Sequence, residues 1–331
     1  MSDATIYDVA KQAGVSISTV SRVLNSPEQV NVKTRTRVLA TIDSLHFVPK
    51  AEAVGRARKQ IGRLGVLAPF FTYPSFVQRL RGVAERLATS PYELVIYNVD
   101  SIAHRDSYLA SLPITRRLDG LVVISLPFDE TVAQRLATHD LPTVLIEHAH
   151  ESFSSIEIDD VAGGRLAAQH LITRGHHRCA FVGDAFVPDY ALHTSARRLA
   201  GYRQVLQDAG LTLTDHYIAL GPHGLAEAQQ LAHQLLDLPE PPTAIFAPSD
   251  NQAMGVLKAA RERGLVVPQQ LAVVGFDDLE IADYIGLTTV RQPLEESGRI
   301  AIDLLLARLS DQSRLVQHIK LPLMIVQRET T

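Results

Sequence analysis

The segment at residues 17–25 carries serine, threonine and arginine side chains at the spacing of one helix face. A guanidinium can donate two hydrogen bonds to O6 and N7 of a guanine, and we predict this role for Arg22. Ser18 suits either a base edge or a phosphate, and Ile17 suits the methyl group of a thymine. Phosphates are the expected partners of the other two hydroxyl side chains, Thr19 and Ser21. This pattern predicts a helix that reads base pairs.

A second group of chemically active side chains follows the predicted strands of residues 61–331, at the points where the strands end. In open α/β sheets, ligands bind beyond the carboxyl ends of the strands. An arginine, several carboxylates and aromatic rings at that edge suit a polyhydroxylated ligand, which needs paired hydrogen bonds and a ring for stacking. The predicted ligand site contains Phe71, Tyr73, Phe76, Ser125, Glu147, Arg198, Ser249 and Asp277.

Local signals place the first group on a helix-turn-helix. Thr5–Asp8 has the form of a capping box at the start of a helix, and Gly14 suits the left-handed residue that ends it. Ser16 can cap a second helix that runs to Leu24. A third helix is expected at residues 32–45, and apolar residues recur on the inner faces of all three. Short helices joined by a glycine-containing turn predict a small all-α helix-turn-helix head.

The charge of the chain is unevenly distributed. The first 60 residues hold nine Lys/Arg and five Asp/Glu, a net charge of +4. The remaining residues hold 23 basic and 31 acidic side chains, so the net charge of −4 for the whole chain hides a basic head on an acidic body. This asymmetry indicates that the head alone meets a polyanion.

The body changes to short apolar runs that alternate with amphipathic helical segments, and this rhythm occurs twice. Such alternation predicts parallel sheets with helices on both faces, hence an α/β body of two lobes. We expect strands at residues 63–68, 93–97, 120–124, 143–146, 179–183, 244–247, 271–275, 317–320 and 323–327. We expect helices at residues 76–88, 131–138, 160–173, 195–209, 225–236, 251–263 and from about 292 to 309.

Other classes of protein fit the sequence poorly. No apolar run approaches the ~18 residues of a membrane span, and the N-terminus shows no secretory signal. The single cysteine, Cys179, allows no internal disulfide, which suits the cytoplasm. The histidines around it (His176, His177) and the pair His148 and His150 lack the spacing of a zinc site, so we interpret them as turn and surface residues. We expect no catalytic residues, no metal and no cofactor.

Three stretches of the head carry a more specific signal: Tyr7–Ala10, Ala13–Ser16 and Thr19–Asn25. Together with Thr34–Arg35 and Phe47–Pro49, they resemble the N-terminal signature of the lac-repressor/gal-repressor (LacI/GalR) family. The resemblance implies a transcription repressor that binds a pseudo-palindromic DNA operator as a homodimer and responds to a small effector. The DNA-contacting residues that we predict are Tyr7, Ser16, Ile17, Ser18, Thr19, Ser21, Arg22, Asn25, Thr34 and Arg56.

The resemblance gives residues 49–60 the role of a hinge helix that forms on DNA and enters the minor groove. The family usually has a leucine wedge where this chain has Arg56, and Gly55 lowers helix propensity by ~1 kcal/mol. Three interpretations stay open. Arg56 lies in a narrowed minor groove, or a shifted register places Val54 there, or the segment is a flexible basic linker.

Weaker matches in the body imply a pair of periplasmic-binding-protein-like lobes joined by three crossovers. Arg198–Gly201 resembles the effector-binding arginine segment of the family, and Val274–Asp278 resembles its glycine-aromatic-aspartate pair, in which the first aspartate contacts effector. Ser249–Asp250 has serine where the family usually has asparagine. Phe70 stands where sugar-binding relatives often have an acidic residue, so a purine or nucleoside is an alternative to a sugar.

The expected domains are a head at residues 1–48, a hinge at 49–60 and an effector-binding and dimerisation body at 61–331. Lobe 1 is expected at about 61–160 and 292–320, and lobe 2 at about 161–291 and 321–331. Two other functions share such a body. For a solute-binding transport protein we would expect an export signal and no basic head. For a cleft hydrolase we would expect a set of catalytic residues.

Overall fold

A computed structural model describes residues 4–25, 27–45, 47 and 62–331. The expected hinge at residues 49–60, including Val54, Gly55 and Arg56, lies outside the described residues, and the predictions made for it stay predictions.

The head consists of three helices around a small apolar core: α1 Ile6–Ala13, α2 Ile17–Asn25 and α3 Val32–Leu45. Thr5 and Asp8 form the expected capping box, and Gly14 ends α1 in the left-handed conformation at φ 62°. The backbone N–H of Thr34 donates to Asn31 Oδ1 at 2.9 Å, which caps α3. The buried side chains that the three helices share are Val9, Ala10, Ala13, Val20, Val23, Leu24, Val38, Leu39 and Ile42.

The body contains twelve strands within the described residues. In chain order they are β1 Gly62–Pro69, β2 Tyr92–Val99, β3 Gly120–Ile124, β4 Thr143–Ile146, β5 Ser154–Glu157, β6 Cys179–Asp184, β7 Ile218–Gly221, β8 Ala244–Phe246, β9 Ala272–Asp277, β10 Thr288–Arg291, β11 His318–Lys320 and β12 Met324–Val326. Its helices are α4 Pro74–Leu87, α5 Ile102–Thr115, α6 Glu130–Thr138, α7 Asp160–Thr173, α8 Thr194–Asp208, α9 Leu225–Leu236, α10 Asp250–Glu262, α11 Glu280–Tyr284 and α12 Leu294–Ser310.

The strands form two six-stranded sheets, each with its own core. Lobe 1 has the order β11-β5-β4-β3-β1-β2, and lobe 2 has the order β12-β10-β9-β8-β6-β7. The pairs within both sheets are parallel except β10 with β12, which are antiparallel. The chain crosses between the lobes three times: before α7, before α12 and between β11 and β12. The expected fold class, a helix-turn-helix head with a two-lobed α/β body, is confirmed.

Two glycines bring helices α7 and α8 into backbone contact. A Cβ atom at Gly164 would overlap the carbonyl oxygen of Arg198, and one at Gly201 would overlap the carbonyl oxygen of Val161. Only glycine allows so close an approach, so this packing fixes the position of the helix that carries Arg198.

The head packs against lobe 1. Ile114 of α5 is fully buried and belongs to the apolar core of the head. Asp43 of α3 accepts hydrogen bonds from Arg135 of α6 and lies 2.9 Å from His139 Nε2. Burial alone would raise the pKa of Asp43, but the His139 and Arg135 partners hold it below its usual value. The head is therefore joined to lobe 1 by a buried apolar contact and by ionic contacts beside it.

The elements that the sequence did not predict are short or irregular. Helix α5 contains Pro113 and has a weak apolar periodicity. Strands β5, β7 and β10 have four residues each, and helix α11 has five. Elements of this length carry too few residues to show a period.

Candidate functional site

The face of α2 opposite the head core is open to solvent. Ser16, Ile17, Ser18 and Arg22 are exposed, as is Tyr7 on α1. The backbone N–H of Thr19 donates to Ser16 Oγ at 3.1 Å, so Ser16 caps the helix whose start is predicted to meet DNA. The structure thus presents the predicted base-reading side chains on one accessible surface.

The other predicted DNA-contacting residues differ in their exposure to solvent. Thr19, Ser21 and Thr34 are half-buried, and the Ser16 hydroxyl lies 2.8 Å from the Thr19 hydroxyl. Asn25 ends α2, and its side chain lies outside the described part, as does Arg56.

The carboxyl ends of the two sheets meet at a cleft between the lobes, with a cavity of about 480 Å³. The cavity is lined by seven of the eight predicted ligand-site residues: Tyr73, Phe76, Ser125, Glu147, Arg198, Ser249 and Asp277. Phe71 does not line it, and that prediction is wrong. Its neighbour Phe70 lies at the end of β1 with a positive φ of 51°, and this turn places the ring of Phe70, not that of Phe71, at the cavity.

Lobe 1 supplies a buried ion pair to the cleft. Arg79 of α4 donates from Nη2 to Glu147 Oε1 at 2.5 Å and from Nε to Ser297 Oγ at 3.0 Å. The hydroxyl of Ser125 donates to the other oxygen of Glu147. Burial alone would raise the pKa of Glu147, but the charge of Arg79 and the Ser125 hydrogen bond hold it below its usual value. Glu147 is therefore a charged acceptor at neutral pH.

Lobe 2 supplies a second buried arginine. Arg198 of α8 donates from Nε to Asp160 Oδ1 at 2.9 Å and from Nη1 to the carbonyl oxygen of Pro248 at 2.5 Å. Its guanidinium lies 3.6 Å from the ring centroid of Phe276, which holds it flat. Nη1 of Arg198 is 3.9 Å from Asp277 Oδ1. Nη2 has no hydrogen-bond partner within the described residues, so it is available to a ligand.

Asp277 is held as the second acceptor of the cleft. Gln292 donates from Nε2 to its Oδ1 at 2.5 Å. Burial raises the pKa of Asp277 to about 6, although Arg198 and Gln292 favour the charged form. The adjacent Asp278 serves a structural role, because it forms ion pairs with Arg291 and Arg328.

The adjacent residues Ser249 and Asp250 have different roles. Ser249 caps α10, accepting from the backbone N–H of Gln252, and lines the cavity. Asp250 is fully buried and accepts from Thr289 Oγ1 at 2.6 Å and from the backbone N–H of Leu279 at 2.7 Å. Burial raises the pKa of Asp250 well above its usual value.

Aromatic rings form one side of the cleft and connect the lobes. Phe70 stacks on Tyr73 at 5.1 Å between centroids, and Tyr73 stacks on His223 of lobe 2 at 4.9 Å. We call these three residues the ring stack. His223 Nδ1 lies 3.1 Å from Asp184 Oδ1, which also accepts from Gln252 Nε2. The ring stack therefore joins lobe 1 to a polar network of lobe 2.

The loop at residues 185–192, which we call the strap, also bridges the lobes. It leaves lobe 2 after β6 and precedes α8, yet Tyr190 and Ala191 are buried in a hydrophobic core of lobe 1. The backbone N–H of Leu192 donates to the carbonyl oxygen of Ser125 at 3.3 Å. Phe186, Val187 and Pro188 of the strap line the cavity.

Sequence reasoning missed Arg79, His223, Gln252, Gln292 and the strap as parts of the cleft. Arg79 had a usable signal, because it lies three residues after Phe76 and four before Val83, on the inward face of an amphipathic helix. The remaining residues lie on loops or helix starts, and their spacing carries no such signal.

The described part of the chain offers neither a metal site nor a membrane-spanning helix. Among the described residues, no cluster of three or more histidine, cysteine or acidic side chains has the arrangement of a metal site. No helix in the same part of the chain is long and apolar enough to cross a membrane. Cys179 is buried, and burial raises the pKa of its thiol to about 11.

Comparisons with known proteins agree with this architecture. Residues 5–50 match the model of "Bacterial regulatory proteins, lacI family", and residues 168–331 match that of "Periplasmic binding protein-like domain". The chain is 32% identical to the catabolite control protein A of Priestia megaterium, over 99% of both chains. It is 34% identical to the ribose operon repressor of Escherichia coli (strain K12), over 98% of this chain and 99% of the relative.

The chain belongs to the lacI family of bacterial regulatory proteins. Among solved structures, this lacI-family protein resembles the transcriptional regulator CelR in complex with cellobiose, at a TM-score of 0.70 and 29% identity, over 99% of this chain and 100% of that one. It also resembles the lac repressor dimer bound to operator and the anti-inducer ONPF, at a TM-score of 0.70 and 28% identity, over 100% and 99% of the chains. The resemblance expected from the head sequence is thus confirmed.

Proposed function

We propose that this lacI-family protein is a cytoplasmic transcriptional repressor whose affinity for a DNA operator is set by a small, neutral, polyhydroxylated effector bound between the lobes. The head, at about residues 1–48, reads the operator, the segment 49–60 connects it, and the body from residue 61 senses the effector. The named relatives are regulators and repressors, which supports this assignment over a solute-binding protein or a cleft hydrolase.

The observation that carries the effector class is the pairing of charges across the cleft. Each lobe contributes a buried arginine near a carboxylate that lines the cavity: Arg79 is paired with Glu147, and Arg198, which bonds Asp160 at 2.9 Å, lies 3.9 Å from Asp277. A vicinal diol can accept from the guanidinium and donate to the carboxylate at the same time. The balance of charge disfavours a strongly anionic ligand. A sugar fits this pattern best, and one solved relative contains cellobiose and another ribose.

We propose that the protein binds its operator as a homodimer. One head reads too few base pairs for useful affinity, and two-fold symmetry matches a pseudo-palindromic site. Exposed apolar side chains at the end of α11, namely Ile281, Tyr284 and Ile285, offer a surface for a second copy. We expect sedimentation velocity to show a dimer, and Tyr284→Ser to shift the protein toward monomer.

A direct test is to select binding sites from random duplexes and then to titrate sugars and nucleosides into the complex. We expect a pseudo-palindromic site to be enriched and a neutral saccharide to change operator affinity. The double variant Ser18→Ala/Arg22→Ala is expected to lose the enrichment. Enrichment of the same site by that double variant contradicts the predicted reading helix, and turnover of any panel compound supports the hydrolase alternative.

A further inference from the structure

A second cavity, of about 430 Å³, lies where the chain passes between the lobes. We call it the crossover pocket, and it is lined by residues 157–161, 197 and 318–320. Lobe 1 contributes the end of β5 and its edge strand β11, and lobe 2 contributes the start of α7 and one residue of α8. None of these residues lines the cleft cavity, so the crossover pocket is separate from the proposed effector site.

The crossover pocket is built on two of the three connections between the lobes. The segment 157–160 is the first connection, and Lys320 directly precedes the third. Lys320 Nζ, on β11 of lobe 1, donates to Asp159 Oδ2 at the start of α7 at 2.9 Å. A rotation of one lobe against the other is taken up at such connections, so it changes the width of this pocket. A ligand that bridges the two sides therefore favours one arrangement of the lobes.

One cation of the crossover pocket is not paired. The charge of Lys320 is matched by Asp159, and Asp160 accepts from Arg198 Nε at 2.9 Å. Arg197, in contrast, is exposed, and its guanidinium has no hydrogen-bond or ion-pair partner within the part of the chain that the structure describes. A free guanidinium can donate two parallel hydrogen bonds to a carboxylate.

The opposite side of the crossover pocket offers an acceptor. The hydroxyl of Ser155 donates to Glu157 Oε1 at 3.1 Å, and Glu157 Oε2 has no partner among the described residues. Lobe 1 thus presents a carboxylate with a free oxygen, and lobe 2 presents the free guanidinium of Arg197. A ligand that carries one anionic and one cationic group matches both.

A neighbouring histidine shows that these two charges lie close together. Burial lowers the pKa of His148, and the charge of Glu157 raises it while the charge of Arg197 lowers it, so both side chains lie near its ring. His148 Nε2 is buried and has no hydrogen-bond partner within the described ranges. Buried polar atoms normally have a partner, so this nitrogen is a third polar group available near the two charges.

We propose that the crossover pocket binds an α-amino acid, whose carboxylate pairs with Arg197 of lobe 2 and whose ammonium group pairs with Glu157 of lobe 1. Asp160 connects this site to the cleft, because it lines the crossover pocket and accepts from Arg198, which lines the cleft cavity. The protein therefore has a second ligand site that reports on an amino compound. This inference goes beyond the proposed function and does not require it, since the binding is measured without operator or saccharide.

The first test is calorimetry on the full-length protein with the proteinogenic amino acids. The amino acid that binds best is then compared with its α-amide, which lacks the carboxylate, and with its N-acetyl derivative, which lacks the ammonium group. We expect each derivative to bind at least about tenfold more weakly, because each loses one charge-assisted pair. Equal binding of either derivative overturns the recognition of both charges.

Variants assign the two charges to their residues. Glu157→Gln keeps the shape that accepts from Ser155, and Arg197→Gln shortens and neutralises the guanidinium side chain. We expect each to lower amino-acid affinity at least about tenfold. The matched controls are Glu151→Gln and Arg203→Gln, because both residues are exposed and neither lines the crossover pocket. Wild-type affinity in the controls supports the site, and an equal loss in all four variants contradicts it.

The position of the bound amino acid is read from methyl NMR signals. We expect the largest shifts at Ile158, Val161 and Ile319, which line the crossover pocket, and smaller shifts at Val187 and Leu192, which line the cleft cavity. The reverse order places the amino acid in the cleft and overturns the inference. If no amino acid binds at up to about 10 mM, the inference fails, while the operator and saccharide titrations decide the proposed function separately.

Discussion

Asp43 in the head and Arg135 in lobe 1 form a two-point ion pair, with Arg135 Nε and Nη2 at 3.1 and 2.9 Å from the same carboxylate oxygen. His139 shares the carboxylate from the same lobe. The pair ties the helix-turn-helix head to the lobe that contributes Arg79 and Glu147 to the cleft. We therefore predict that a change at the cleft reaches the head through this pair.

Replacing Asp43 should loosen this attachment. Because Asp43 accepts charge-assisted bonds in a half-buried place, we expect Asp43→Ala to lower the local unfolding free energy of α3 by about 1–3 kcal/mol. Hydrogen–deuterium exchange at residues 32–45 measures this change. We also expect the effector to alter operator affinity less in the variant. Asp140→Asn, an exposed acid beside His139, is the control; equal exchange in Asp43→Ala and this control would refute the coupling role.

Arg198 should be required for the effector response. Arg198→Lys keeps a charge near Asp160 but loses the fork that bonds Pro248 and leaves Nη2 for the proposed ligand. We expect effector affinity to fall by roughly 100-fold, on the order of 3 kcal/mol, with operator affinity retained. Calorimetry and fluorescence anisotropy measure the two affinities. Arg203→Ala, on the exposed side of the same helix, is expected to behave as wild type. A normal effector response in Arg198→Lys contradicts the assignment.

Effector affinity should fall as the pH drops through about 6, the pKa to which burial raises Asp277. Above this value Asp277 is a carboxylate that accepts from a ligand hydroxyl, and below it the protonated group loses that capacity. Affinity should therefore decrease by up to about tenfold per pH unit below 6. Glu147, whose pKa is lowered, stays charged in this window. Asp277→Asn should remove the pH dependence; an unchanged profile in that variant assigns the titration to another group.

Arg22 and Lys33 should affect operator binding differently. Arg22 is exposed on α2, and Arg22→Ala should cost ~1–3 kcal/mol at one base-pair position and relax specificity there. Lys33 is exposed at the start of α3, and Lys33→Ala should weaken binding to all operator variants by a similar factor. Anisotropy titrations against a panel of single-base operator variants distinguish the two patterns. A uniform loss in Arg22→Ala would show that Arg22 contacts only phosphate.

The features that were predicted best from the sequence are those that depend on residues close together along the chain, such as helix ends. The capping box at Thr5 and Asp8 and the left-handed Gly14 lie within a few residues of the helix ends that they define. Arg198 and Asp277 were also predicted to line the cleft, because Asp277 lies at the end of a recognisable strand and both residues lie in matching motifs.

Features that depend on contacts between residues far apart in the sequence could not be predicted from the sequence. Arg79 is buried because Glu147 and Ser297, 68 and 218 positions away, provide its partners. The choice of Phe70 over Phe71 depends on one backbone angle at the end of β1. The strap has no periodic apolar pattern from which its position could be predicted. Its residue Tyr190 is buried in the core of lobe 1, far from the strand of lobe 2 that precedes it in the sequence.

The order in which the chain forms its strands has a consequence for folding during translation. The sheet of each lobe takes an edge strand from the last fourteen residues, β11 for lobe 1 and β12 for lobe 2. The three head helices, in contrast, are contiguous at the N-terminus and can fold while the ribosome is still translating the body. A nascent chain stalled before residue 318 would therefore carry a complete helix-turn-helix head while the sheets of both lobes still lack an edge strand.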